Sequence, residues 1–173
     1  MTTIGLISDT HSFLDPKVFQ YFKDCDEIWH AGDIGSTNVA DELESFKPLK
    51  AVYGNIDGTA LRTRYPEHQR FSCEGLKIWI THIGGYPPRY NKIVKPLITK
   101  DPPDIFICGH SHILKIITDP KLNKLLYINP GAAGRVGFHK VGTLVRFQID
   151  KRKISNMQVI ELGKKADQAE RLG

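Results

Sequence analysis

Five short apolar runs, each ending beside a residue that can bind a metal ion, constrain this chain more tightly than any other feature. They cover residues 4–7, 27–29, 50–53, 77–81 and 104–108 and are rich in Ile, Val and aromatic side chains. Each is too short for a free-standing helix and has the composition of a strand. Between them, 16–22, 38–46 and 90–98 show helical amphipathicity, the last expected to be disturbed by Pro96. Alternating strand and helix predict a layered architecture. From residue 125 the pattern changes. The stretches 125–128, 143–149 and 157–162 read as antiparallel strands, with turn residues and no room for long helices between them. Two packed sheets with outer helices would bury all these runs in one domain, residues 1–163, leaving a polar tail at 164–173.

The residues that follow the first five strands are Asp9-Thr10-His11, His30-Ala31-Gly32-Asp33, Gly54-Asn55, His82 and Gly109-His110-Ser111-His112. In α/β sheets, ligand sites gather outside the carboxyl ends of strands, so residues distant in sequence can converge there. Asp9, His11, Asp33, Asn55, His82, His110 and His112 are thereby offered to one place. Seven donors exceed the needs of one small divalent ion but fit two, with a carboxylate such as Asp33 bridging them at roughly 3.5–4 Å. Oxygen and imidazole donors suit Mn²⁺, Fe²⁺, Zn²⁺, Ni²⁺ or Co²⁺ better than Ca²⁺ or Cu(I). Mn²⁺ is the first expectation, and Mg²⁺ is also admitted.

Two such ions against Asp9 and Asp33 leave a positive site, which predicts a small phosphate ester as substrate. A water shared by the ions would lose its proton near neutral pH and attack phosphorus, with Asp33, Asn55 and His82 acting through metal and phosphate positioning. Gly32, Gly54 and Gly109 each precede a proposed ligand, where glycine permits unusual backbone conformations. A further glycine-rich turn at 129–135 would bring backbone amides and Arg135 near a phosphate. For His30 and His68 the ordinary expectation is a hydrogen-bonded polar residue, and for Asp57 a loop-structuring carboxylate.

Composition narrows the alternatives. A chain of 173 residues, 40% hydrophobic and 25% charged, has the balance of a folded domain. Its start, MTTIGLISDTH, lacks a basic region and a long apolar run, so a cytoplasmic location and no membrane partner are expected. The three cysteines lack CxxC spacing and point to buried free thiols. The net charge of +5 is scattered, with its densest groups at Lys151-Arg152-Lys153 and Lys164-Lys165, and no aromatic-interleaved basic stripe indicates a dedicated nucleic-acid partner.

The set Asp-x-His, Gly-Asp, Gly-Asn, His and Gly-His-x-His, spread in this order from Asp9 to His112, resembles the calcineurin-like metallophosphoesterase superfamily. TIGLISDTH, IWHAGDI, YGNID, ICGHSH and NPGAAG look like its small bacterial and archaeal phosphodiesterase branch, over roughly residues 3 to 150. The resemblance implies a four-layer α/β/β/α sandwich of two mixed sheets flanked by helices. It also implies that Asp9, His11, Asp33 and His112 hold one ion while Asp33, Asn55, His82 and His110 hold the other. Small members of this fold often self-associate, so a homo-oligomer is admitted.

Two departures stand out. Ile56 occupies the position where many members carry a proton-donating His after Gly-Asn, and no general acid is identified, although Asp57 and His139 are candidates. Ile83-Gly84 stands where relatives often read Gly-His. The first departure shifts the expectation toward diesters and activated esters. The competing reading is a protein-binding scaffold, because the resemblance extends to a eukaryotic retromer subunit with an altered metal site. Specificity would come from the loops 12–15, 59–69 and 84–90, and Phe13, Leu14, Tyr86, Pro87 and Pro88 are candidates for an apolar rim.

Overall fold

A computed structural model describes residues 1–165. Its elements in chain order are β1 (Thr2–Ile7), α1 (Lys17–Phe22), β2 (Glu27–His30), α2 (Thr37–Phe46), β3 (Leu49–Ala51), α3 (Thr59–Arg64), β4 (His68–Cys73), β5 (Leu76–Thr81), β6 (Gly85–Tyr86), β7 (Arg89–Tyr90), α4 (Val94–Lys100), β8 (Ile105–Ile107), β9 (Lys115–Asp119), β10 (Leu125–Asn129), β11 (Val141–Asp150) and β12 (Lys153–Lys164). One sheet has the order β12-β11-β1-β2-β3 and a second the order β4-β5-β8-β10-β9. Strands β1, β2 and β3 run parallel, as do β5, β8 and β10, and antiparallel strands complete each sheet. A two-stranded ribbon of β6 and β7 lies apart.

The apolar runs are continuous because both faces of their strands are covered, as parallel sheets require. Side chains alternate with a period of two. Ile4, Leu6 and Trp29 of the first sheet meet Ile78, Ile80, Ile105 and Ile107 of the second in the central core. Ile7 and Ile28 face outward onto Val18 and Phe22 of α1 and Val39 and Leu43 of α2. Trp79 and Phe106 face the other way, onto Val94 and Ile98 of α4. Truncating a fully buried aromatic such as Trp29 to alanine would cost about 3–5 kcal/mol. The result is the expected four-layer sandwich of two mixed sheets.

Several sequence expectations need correction. The strand at 125–128 pairs antiparallel with β9 but parallel with β8, because β9 folds back to take the sheet edge. The helix expected over 90–98 begins instead at Val94, and Tyr90 belongs to β7. Pro96 falls in the first turn of α4, where backbone amides have no partner within the helix, so it does no harm there. The loop expected over 59–69 contains α3 and the start of β4. Lys164 closes β12 rather than opening a tail, and positions 166–173 lie outside the described residues. Among the described residues, no helix is long and apolar enough to cross a membrane.

Candidate metal centre

The carboxyl ends of all six parallel strands point to one place. Asp9 and His11 follow β1, Asp33 follows β2, Asn55 follows β3, His82 follows β5, and His110 and His112 follow β8. The sixth end, that of β10, supplies Asn129, whose Nδ2 donates to Gly109 O at 2.9 Å and to Ser111 Oγ at 3.1 Å. The loops stay stapled beyond the strands: the N–H groups of Asp9, His11 and Ser12 donate to the carbonyls of Gly32, Asp33 and Ile34. Asp9, His11, Asp33, His110 and His112 all have positive φ, between 46° and 70°. Left-handed backbone at non-glycine residues costs of order 1–3 kcal/mol and concentrates at functional sites. Here it turns five side chains inward at sharp strand exits.

The side chains form two groups whose ligand atoms lie within 4.8 Å of one another: Asp9, His11 and His112, and Asp33, His82 and His110. Asp33 Oδ2 lies 3.4 Å from His11 Nε2 and 3.1 Å from His82 Nε2, touching both groups. Asn55 Oδ1 joins the second group, 3.1 Å from His82 Nε2 and 3.0 Å from His110 Nδ1. All seven residues singled out in the sequence therefore meet.

Hydrogen bonds aim these groups. His82 Nδ1–H donates to Ala31 O at 2.7 Å, which leaves Nε2 directed at the carboxylates. Asp9 Oδ2 accepts from Ser8 Oγ at 2.6 Å and from the N–H of His110 at 3.1 Å. Its Oδ1 and His11 Nε2 are buried and make no hydrogen bond among the described residues, although His112 Nε2 lies 3.2 Å from the former. Burial pushes the Asp9 carboxyl upward, but His11, His112, His82 and Ser8 overcome this and hold it well below the usual carboxylate range. Asp33 follows the same pattern: burial opposes ionisation, while His82 and the Ile56 N–H favour it and win. For His82, desolvation is outweighed by Asp33 and Asp9, so its pKa is raised, whereas desolvation prevails at His110 and lowers it. Two anionic carboxylates, an amide oxygen and four imidazoles, with one carboxylate oxygen and one imidazole nitrogen among them buried and orphaned, are a donor set that divalent cations fit.

Two buried residues brace the ligand loops. His30 Nδ1 accepts from the Gly32 N–H at 3.1 Å. Its Nε2–H therefore donates to Thr10 Oγ1 at 3.0 Å, and Thr10 donates on to Ile34 O at 2.9 Å. The Asp9–His11 loop is thus tied to the Asp33 loop, and complete burial lowers the His30 pKa to about 4, keeping the ring neutral. Asp57 accepts from the N–H groups of Ile34, Gly35 and Gly54, tying the Asp33 loop to the Asn55 loop. Arg62, which the sequence reading passed over, donates to the carbonyls of Asp57 and Asn55. Its only sequence signal is a basic residue shortly after the Gly-Asn-x-Asp turn.

The glycines differ in their reasons. Gly32 has φ +98, as expected, whereas Gly54 and Gly109 are needed for space: a Cβ there would overlap Asp33 Oδ1 or Ser8 Oγ. In the turn at 129–135, the N–H groups of Ala133 and Gly134 donate to the carbonyls of Ser8 and Asp9, so they brace the Asp9 loop instead of facing a ligand. Arg135 is exposed, with its guanidinium 4.0 Å above the Phe13 ring, and Phe13 is buried rather than part of a rim. His139 sits beside His112, ring centroids 5.2 Å apart, and its Nε2–H donates to Gly134 O. His68 stands apart from the centre against Trp79, with its buried Nδ1 unpartnered among the described residues, so it is not the satisfied histidine expected.

The sequence profile described as the calcineurin-like phosphoesterase superfamily domain matches residues 2–152. Probable metallophosphoesterases of Methanothermobacter thermautotrophicus and Methanocaldococcus jannaschii are each 32% identical, over 134 and 135 residues. Each match covers 75% of this chain, and 76% and 67% of the two relatives. Among solved structures, an archaeal phosphodiesterase superposes with a TM-score of 0.74 at 25% identity, covering 92% of this chain and 99% of that one. Vps29 of Entamoeba histolytica, in complex with zinc, superposes with a TM-score of 0.70 at 17% identity, covering 93% and 99%, a likeness of fold.

Proposed function

The chain belongs to the calcineurin-like phosphoesterase superfamily, and we propose that it is a phosphodiesterase working with two divalent cations. One observation carries this reading: Asp33 Oδ2 lies between His11 of one ligand group and His82 of the other. A carboxylate so placed is suited to be shared. Asp9, His11, Asp33 and His112 would hold one cation, and Asp33, Asn55, His82 and His110 the other, with Mn²⁺ the first choice. Bound there, two such cations supply positive charge for an anionic ester and acidify water toward neutral pH.

The chain's own residues do the positioning. Asp9 and Asp33 stay anionic at neutral pH, and the Ala31 carbonyl fixes the tautomer that keeps His82 Nε2 directed inward. With Asn55 Oδ1 committed to the centre, its Nδ2 is left to donate to a phosphate oxygen, and Arg135 adds positive charge at the rim. Ile56 offers no side-chain proton, and its N–H is engaged by Asp33 Oδ1 at 3.1 Å. A positioned proton donor ordinarily contributes about 10²–10⁴-fold. Its absence favours activated esters, whose leaving groups need no protonation, over alkyl esters, and among these a small diester is our choice. The archaeal phosphodiesterase of the same fold supports this choice.

The test titrates chelated protein with Mn²⁺, Ni²⁺, Zn²⁺ and Mg²⁺ while hydrolysis of an aryl phosphodiester and the matching monoester is followed. Metal-dependent turnover, faster for the diester, is expected. Metal binding without turnover of either ester would replace this reading with the protein-binding scaffold, and absence of binding would end both metal assignments.

A further inference from the structure

Three clefts open beside the seven clustered residues. One of about 240 Å³ runs along Tyr86, Tyr90 and His110, and a polar one of about 260 Å³ lies between Asn55, His82, Arg62 and Glu67. The third, about 490 Å³, alone falls within the ~300–1,000 Å³ typical of ligand sites. Its walls are His110, His112, Ile113, Gly137, Phe138 and His139, with Ser111 between the first two.

Two features set this cleft apart. It is continuous with the metal centre, because His110 comes from one ligand group and His112 from the other. A group attached to phosphorus at that centre would have the cleft within reach. The wall also carries two large apolar side chains unexplained by packing: Phe138 is 104% exposed and Ile113 62% exposed. The loop that displays Phe138 is nonetheless held in place. Gly137, at φ +115, lies so close to His112 that a Cβ would overlap its Nδ1, its carbonyl accepts from Lys165 Nζ, and His139 Nε2–H donates to Gly134 O at 2.7 Å. A large aromatic ring presented to water by a braced loop at the edge of a phosphate-binding centre has the form of a stacking platform.

We propose that this cleft is the subsite for one ester arm of the substrate, a flat aromatic or heteroaromatic group stacked on Phe138 beside Ile113. The inference rests on the phosphodiesterase reading, since a diester brings a second organic arm that the site must accommodate.

The test measures binding of non-hydrolysable phosphinates to Mn²⁺-loaded protein by calorimetry, so that it does not depend on turnover. Methylphenylphosphinate is expected to bind about tenfold more tightly than dimethylphosphinate, the scale of one ring stacked on an aromatic side chain. Phe138→Ala should abolish that preference and Phe138→Trp should retain it. Equal binding of the two phosphinates by the unaltered protein, no binding of either, or a preference that survives Phe138→Ala would overturn the subsite. A protein that hydrolyses no ester yet keeps the phenyl preference would retain the subsite and lose the phosphodiesterase reading. A diesterase without the preference would do the reverse.

Discussion

The two ligand groups differ in how completely the chain satisfies them. In the first, Asp9 is fully buried, and its Oδ1 and His11 Nε2 make no hydrogen bond among the described residues. In the second, Asn55 and His110 are exposed, and Asn55 Oδ1 lies within hydrogen-bond reach of both His82 and His110. Charge differs as well, since the first group has Asp9 with a share of Asp33 while the second has only that share and a neutral amide. A more anionic and less satisfied group gains more from a cation. The first position should therefore bind its cation tightly, and the second should exchange. The braces divide the same way, a neutral histidine (His30) for the first group and a carboxylate (Asp57) for the second, and both are anchored on the Asp33 loop.

Asp33→Ala should erase the contrast altogether. Losing the shared carboxylate removes several kcal/mol of charge stabilisation, so Mn²⁺-dependent diester hydrolysis should fall by about a thousandfold or more. A loss below tenfold would mean that the groups work separately. The next largest effect discriminates between them by calorimetric Mn²⁺ titration. Asp9→Asn should remove the tighter binding step, and Asn55→Ala should weaken only the looser one, by about 10–100-fold. If Asn55→Ala removes the tighter step, the ranking is inverted.

The smallest effect probes the brace of the first group through pH. His30 titrates at 6.5 when unfolded and at about 4 when folded, because burial disfavours the charged ring. The unfolded chain binds more protons within that window. The contribution is therefore complete above pH 6.5 and is lost as pH falls toward 4. Between pH 7.5 and 5.5 metal-free protein should lose about 1 kcal/mol more in urea unfolding than His30→Gln does. Equal losses would remove His30 as the source.

How much of this was readable from the residues depended on what fixes each part. The ligands were legible because each follows an apolar run that covered faces make unmistakable, as with Asp9 after Ile4–Leu6 or His110 after Ile105 and Ile107. Strand β4, His68–Cys73, was not, because its composition is mixed and only its pairing with β5 makes it a strand. Helix α3 is six residues long with one buried side chain, too little for a periodic signal. The parallel placement of β10 depends on β9, a partly exposed edge strand that no apolar pattern announces. His30 and Asp57 were visible as residues, but which loops they join is a matter of tertiary geometry.

The arrangement of strand ends also has a mechanical meaning. Each ligand group draws on both layers of the sandwich: Asp9 and His11 leave the first sheet and His112 the second, while Asp33 leaves the first and His82 and His110 the second. A cation in either position would fasten two sheets that otherwise meet through side-chain packing and a few polar contacts at the opposite edge. At a hundredfold excess over its dissociation constant, each cation adds about 2.7 kcal/mol to folding stability. Prying the layers apart from the carboxyl-end side would strain metal–ligand bonds, whereas prying from the opposite side would meet polar contacts of Met1, Thr2 and Arg152 with Glu74, Gly75 and Asp104. The sandwich would be clasped by metal at one edge and is tied by surface polar contacts at the other.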